Sequence, residues 1–129
     1  MSLDQILVDR GVRLFRGPAG HDKQHQMMRE IERLMDGRAV IILDFKAAWN
    51  HQNHVKGTTV LQFPDPDTVP DTVRQIPRGS VLALDGVQFM TFRTLRADLP
   101  VGWQVRYLTE ALDAAAERDI TVFATWSEV

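Results

Sequence analysis

The chain has 129 residues, a formal charge of −2 and no cysteine, which fits one domain with its own core and excludes disulfides, thiolate zinc sites and cysteine nucleophiles. A composition of 44% hydrophobic and 25% charged residues is ordinary for a globular protein, and the charge offers no global attraction to nucleic acid or anionic membrane. No apolar run approaches the roughly 20 residues needed to span a bilayer, and residues 1–10 show no signal-peptide pattern, so the expected location is cytoplasmic.

In chain order, Leu3, Ile6 and Leu7 suggest a short N-terminal helical turn, and residues 12–16 read as a first strand. From His21 to Met35 the apolar residues Met27, Met28, Ile31, Leu34 and Met35 recur at helical spacing, and Gly37 is a natural stop for that helix. Residues 39–43 (Ala-Val-Ile-Ile-Leu) form a continuous apolar run, the mark of a parallel strand buried on both faces. Residues 58–63 suggest a third strand, ended by Pro-Asp-Pro, with a short helix carrying Val69, Val73 and Ile76 after it. Residues 80–85 (Ser-Val-Leu-Ala-Leu-Asp) are a fourth strand between glycines. A long helix over about 102–118 places Val105, Leu108, Leu112, Ala115 and Ala116 inward, and residues 120–126 close the domain as a strand.

Strands alternating with helices predict a single three-layer α/β/α domain of about five mostly parallel strands. In such a sheet ligands bind beyond the carboxyl ends of the strands, where the loops starting at Gly17, Lys46, Asp85 and Ser127 would gather. The first of these loops reads Gly17-Pro-Ala-Gly20-His-Asp22-Lys23-Gln24. A phosphate-binding loop needs glycine, four residues, then Gly-Lys-Ser/Thr. Gly17 and Lys23 keep that spacing, but Asp22 replaces the second glycine and Gln24 the magnesium-binding hydroxyl.

With this loop, the helix running into Gly37-Arg-Ala-Val-Ile-Ile42, and the strand Leu82-Ala-Leu-Asp85-Gly-Val-Gln-Phe89, the chain resembles the nucleotide-binding core of the thymidine kinase family, within the RecA-like P-loop proteins. The resemblance covers about residues 12–126. A weaker likeness to P-loop cobalamin adenosyltransferases rests on Phe45-Lys-Ala-Ala-Trp49. The resemblance implies a P-loop NTPase-like fold with a degenerate nucleotide site at Gly17, Gly20, Asp22, Lys23, Gln24 and Asp85. The departures argue against kinase activity. An Asp22 carboxylate about 5 Å from a phosphate costs about 3 kcal/mol at an effective dielectric near 20. Gly86 stands where the family has its catalytic glutamate, and a chain without cysteine lacks the means to build the family's zinc-bearing lasso.

No cofactor is expected beyond weak binding of nucleotide or phosphate. His21 and His25 share a helix face, and His51 and His54 follow the second strand, so a histidine metal site is the alternative to solvated loop residues. Residues 88–100 form a long, apolar-rich connection, from which Phe92, Arg93, Leu95, Arg96 and Leu99 are the candidate contact with a protein partner or a second copy. Arg93, Arg96 and Arg106 with Phe92 would alternatively suit a single nucleic-acid strand. Arg10, Arg13 and Arg16 read as solvated or as part of a subunit interface, and Trp49, Trp103 and Trp126 as packing residues. The function expected from the sequence is a catalytically degenerate P-loop-like protein that works by binding. The alternatives are a nucleic-acid-associated RecA-like accessory protein and a nucleotide enzyme with an atypical loop.

Overall fold

The structure is a computed structural model that describes residues 2–18, 22–35, 37–45, 58–62, 65–87 and 102–128. Its elements are α1 (Leu3–Asp9), β1 (Arg13–Pro18), α2 (Asp22–Met35), β2 (Val40–Asp44), β3 (Thr58–Gln62), a 3-10 turn at Pro66–Thr68, α3 (Val69–Arg74), β4 (Val81–Asp85), α4 (Trp103–Glu117) and β5 (Thr121–Glu128). The strands form one sheet in the order β1-β5-β4-β2-β3. Every pairing is parallel, rather than mostly so.

Burial along each strand follows its place in that order. β4 is central, and all its residues from Val81 to Asp85 are buried, so it reads as an unbroken apolar run ending in an acid. The edge strands β1 and β3 instead mix exposed and buried positions. Two residues per strand repeat sends alternate side chains to opposite faces. Phe15, Val40, Ile42, Val81, Ala83 and Phe123 therefore share one face, where Met27, Met28 and Ile31 of α2 pack on them. Each such fully buried side chain contributes about 1.5–3 kcal/mol. Leu43, Leu82, Leu84 and Ala124 point the other way into a larger core with Ile6 and Leu7 of α1, Val69 and Val73 of α3, and Trp103, Leu108 and Leu112 of α4. Helices thus cover both faces of the sheet.

Some details differ from the sequence reading. β1 extends to Pro18 and β5 to Glu128, because the two strands pair in register through Gly17–Ser127 and Pro18–Glu128. Leu34 is exposed on α2 and Ala116 on α4, each at the margin of its apolar stripe rather than inside it. Gly37 ends α2 with a φ of 82°, the left-handed conformation that glycine reaches most cheaply. At the amino end of the sheet Arg38 does structural work that its sequence context did not announce. Its guanidinium donates to the Gly79 carbonyl (2.6 Å), the Ser80 carbonyl (3.2 Å) and Thr121 Oγ1 (2.8 Å), tying the start of β2 to those of β4 and β5.

Candidate functional site

Strand parity builds the site. Asp85 lies two residues beyond Ala83, Asp44 two beyond Ile42 and Thr125 two beyond Phe123, so all three face α2 at the carboxyl edge of the sheet. α2 begins at Asp22, so its first turn delivers Lys23 and Gln24 to that edge. Lys23 is 4% exposed, and Gln24, Asp44, Asp85 and Thr125 have no exposed surface.

The hydrogen bonds form one connected network. Gln24 Nε2 donates to Asp85 Oδ2 at 2.7 Å. Thr125 Oγ1 donates to Asp85 Oδ1 at 2.6 Å and accepts from the Gly86 N–H at 2.8 Å. Because the threonine oxygen already accepts from Gly86, its proton is the one directed at Asp85. Both Asp85 oxygens therefore accept, as buried carboxylate oxygens require if desolvation is to be offset. The Asp85 carbonyl accepts from the Phe45 N–H at 2.9 Å, which carries β2 alongside β4 to its end. Asp44 pairs with Asp85 in register, so two buried acids stand on neighbouring strands facing the same way.

Lys23 folds back over the end of β1. Its ammonium donates to the Pro18 carbonyl, and its stem lies where a Cβ on Gly17 would meet Lys23 Cδ at 3.8 Å. The stem is thus packed and the charge is directed at the backbone where β1 ends. The structure brings Lys23, Gln24 and Asp85 to one edge, with Gly17 beneath the lysine. Asp22 is exposed at the helix start and lies outside this network. Gly20 falls outside the described residues.

The remaining candidates divide in the same way. His25 is exposed on α2, whereas His21, His51 and His54 fall outside the described residues. Among the described residues no group of three or more metal-ligating side chains converges. Phe92, Arg93, Leu95, Arg96 and Leu99 also lie outside them, as do Gln88, Phe89 and Trp49. Arg106 pairs with Glu110 on α4 at 3.1 Å. The arginines around β1 are not simply solvated. Arg10 pairs with Asp113, Arg13 bonds Glu30 through two nitrogens at 3.1 and 3.2 Å, and Arg16 bridges Asp4 and Glu128, each at 3.1 Å. Their spacing sends Arg13 toward α2 and Arg16 toward α1, so they never form one stripe.

Two buried residues at this edge, Asp44 beside the network and Thr125 within it, were not singled out from the sequence. Asp44 had a signal, since Val40–Asp44 and Val81–Asp85 are both apolar runs closing on an aspartate. Thr125 had none beyond its parity with Phe123. The chain matches no protein-family model and no curated protein sequence. Among the described residues, no helix is long and apolar enough to cross a membrane.

Proposed function

We propose that this domain is a catalytically degenerate P-loop NTPase-like protein that acts by binding a partner or a second copy of itself, not by turning over nucleotide. The observation that carries this reading is the Gln24 amide seated on Asp85 Oδ2 at 2.7 Å. In P-loop enzymes the equivalent hydroxyl and aspartate hold magnesium between them. Here an N–H donor is aimed at that carboxylate, and an N–H cannot ligate a cation, so the donor set does not fit magnesium. Gly86, at the position of the family's catalytic glutamate, has no side chain to take a proton and gives its N–H to Thr125.

The test is a thermal-shift and phosphoryl-transfer panel with ATP, GTP and thymidine, with and without magnesium. The wild-type chain should show no magnesium-dependent stabilisation and no transfer to a nucleoside. The double change Asp22→Gly with Gln24→Thr removes the repulsive carboxylate and restores the hydroxyl. It should gain about 2.7 kcal/mol of stability with nucleotide at 100 times its dissociation constant. Thymidine phosphorylation by the wild type, abolished by Lys23→Ala, would sink the proposal. The buried, loop-facing Lys23 favours a second reading, in which a phosphate displaces the Pro18 carbonyl without any metal. That reading requires stabilisation by nucleotide that survives EDTA.

A further inference from the structure

A groove of about 380 Å³ runs beside β1, lined by every residue from Arg13 to Arg16 and by Gln26, Arg29, Glu30 and Arg33 of α2. Successive strand residues point to opposite faces, so a hollow that touches all of them must follow the strand's edge. One edge of β1 is taken by β5, and among the described residues no strand pairs with the other, which puts the groove on that edge. A second hollow of about 270 Å³, lined by Asp22, His25, Gln26 and Arg29, continues it toward the start of α2.

The charge here is concentrated. A chain whose formal charge is −2 places Arg13, Arg16, Arg29 and Arg33 around this groove against the single carboxylate of Glu30. Two of these arginines are held by partners: Arg13 by Glu30, with its guanidinium 5.0 Å from the Phe15 ring centre, and Arg16 by Asp4 and Glu128. Arg29 and Arg33 are exposed; Arg33 lies within electrostatic reach of Glu30, and neither is in a direct ion pair among the described residues. They stand one turn apart on α2, a rise of about 6 Å. Alternate side chains of an extended strand are spaced by about 6.6 Å.

We propose that this groove binds an extended acidic peptide by strand addition to β1. The peptide's backbone would pair with the open edge, and carboxylates on alternate residues would meet Arg29 and Arg33 in charge-assisted, bidentate hydrogen bonds. A strand edge presents N–H and C=O groups together, and a peptide satisfies both. The phosphates of a nucleic-acid strand only accept, so its backbone would leave the carbonyls without donors. It would also find no stacking surface, because Phe15 is buried in the groove wall. The proposed contacts use Arg29 and Arg33 and neither Lys23 nor Asp85, so nucleotide turnover by the protein would leave this proposal standing.

Fluorescence polarisation with a labelled octapeptide alternating glutamate and threonine tests it on the full chain. Saturable binding is expected, weakened at least about tenfold by Arg29→Glu with Arg33→Glu, since each lost bond to a charged group is worth about that factor. Arg29→Lys with Arg33→Lys should restore part of the affinity, and circular dichroism should show all variants folded. Two further peptides, N-methylated on alternate residues in opposite registers, read out strand pairing: one should lose about tenfold and the other little. Equal binding of both methylated peptides would overturn the proposal, as would no binding at about 1 mM peptide. Stronger binding of oligothymidylate, or a dimer that dissociates in the double charge reversal, would overturn it in favour of nucleic acid or a second copy.

Discussion

Replacing Gln24 with methionine isolates the contact on which the functional reading turns. Methionine keeps the length and most of the volume of the side chain but has no N–H, so Asp85 Oδ2 loses its donor at 2.7 Å while the packing against β4 changes little. Both residues are without exposed surface, so water is poorly placed to replace the amide. A hydrogen bond to a charged group contributes about 1.5–3 kcal/mol, and an orphaned buried acceptor costs a similar amount. The expected loss is therefore about 2–3 kcal/mol. With a urea m-value of about 2 kcal/mol/M for a domain of this size, the midpoint should fall by about 1 M.

A double-mutant cycle distinguishes this bond from general disturbance. Asp85→Leu alone removes the carboxylate that both the Gln24 amide and the Thr125 hydroxyl donate to. With Gln24→Met added, both ends of the first bond become apolar, a replacement that is close to neutral when shape is kept. The double mutant should consequently be more stable than the summed single losses by at least about 1.5 kcal/mol. Additive losses, or a Gln24→Met midpoint within about 0.3 M of wild type, would refute the network and the claim that the amide seals Asp85.

The strands and helices were legible because their signals are local. The apolar run at 39–43 is buried from Val40 onward except for a partly exposed Ile41, the one closing on Asp85 is buried throughout, and the spacing of Met27, Met28 and Ile31 puts them on the face of α2 that meets the sheet. The site was legible only in part. Lys23 and Asp85 could be paired by a motif, but the bond between Gln24 and Asp85 links residues far apart in the chain through strand order. Sequence spacing does not give the insertion of β5 between β1 and β4. That insertion is what brings Thr125 to Asp85. The groove at β1 was illegible for the same reason. Arg13 and Arg16 look like scattered charges until β1 proves to be an edge strand with α2 beside it.

Arg38→Met should lower stability by about 2–3 kcal/mol in urea, since the Gly79 carbonyl and Thr121 Oγ1 lose the guanidinium while the Ser80 carbonyl keeps only the Thr121 N–H, yet leave any binding at the carboxyl edge unchanged. Thr125→Val should cost about 2 kcal/mol by removing a donor and an acceptor at once, whereas Thr125→Ser should retain most of the stability. Glu30 is held below its ordinary value of 4.5 chiefly by the hydrogen bond from Arg13. A depressed folded pKa adds stability that is complete above the unfolded value and disappears as pH falls through the folded one. Glu30→Gln should therefore flatten the acid limb of the stability–pH curve below about pH 4.5 and leave its slope near neutrality unchanged. The last expectation concerns Gly86→Glu, which under the proposed reading would supply the glutamate that thymidine kinases use as a base. Gly86 has a φ of 77°, which costs a residue with a Cβ about 1–2 kcal/mol, and its N–H is already committed to Thr125. A glutamate there must either accept that strain or rotate the peptide and break the bond that positions Thr125 on Asp85. The variant should thus be less stable and still inactive as a kinase, because Gln24 continues to occupy Asp85 Oδ2. Nucleoside phosphorylation appearing on this single substitution would show that the amide yields to metal, and the reading of a sealed site would fall with it.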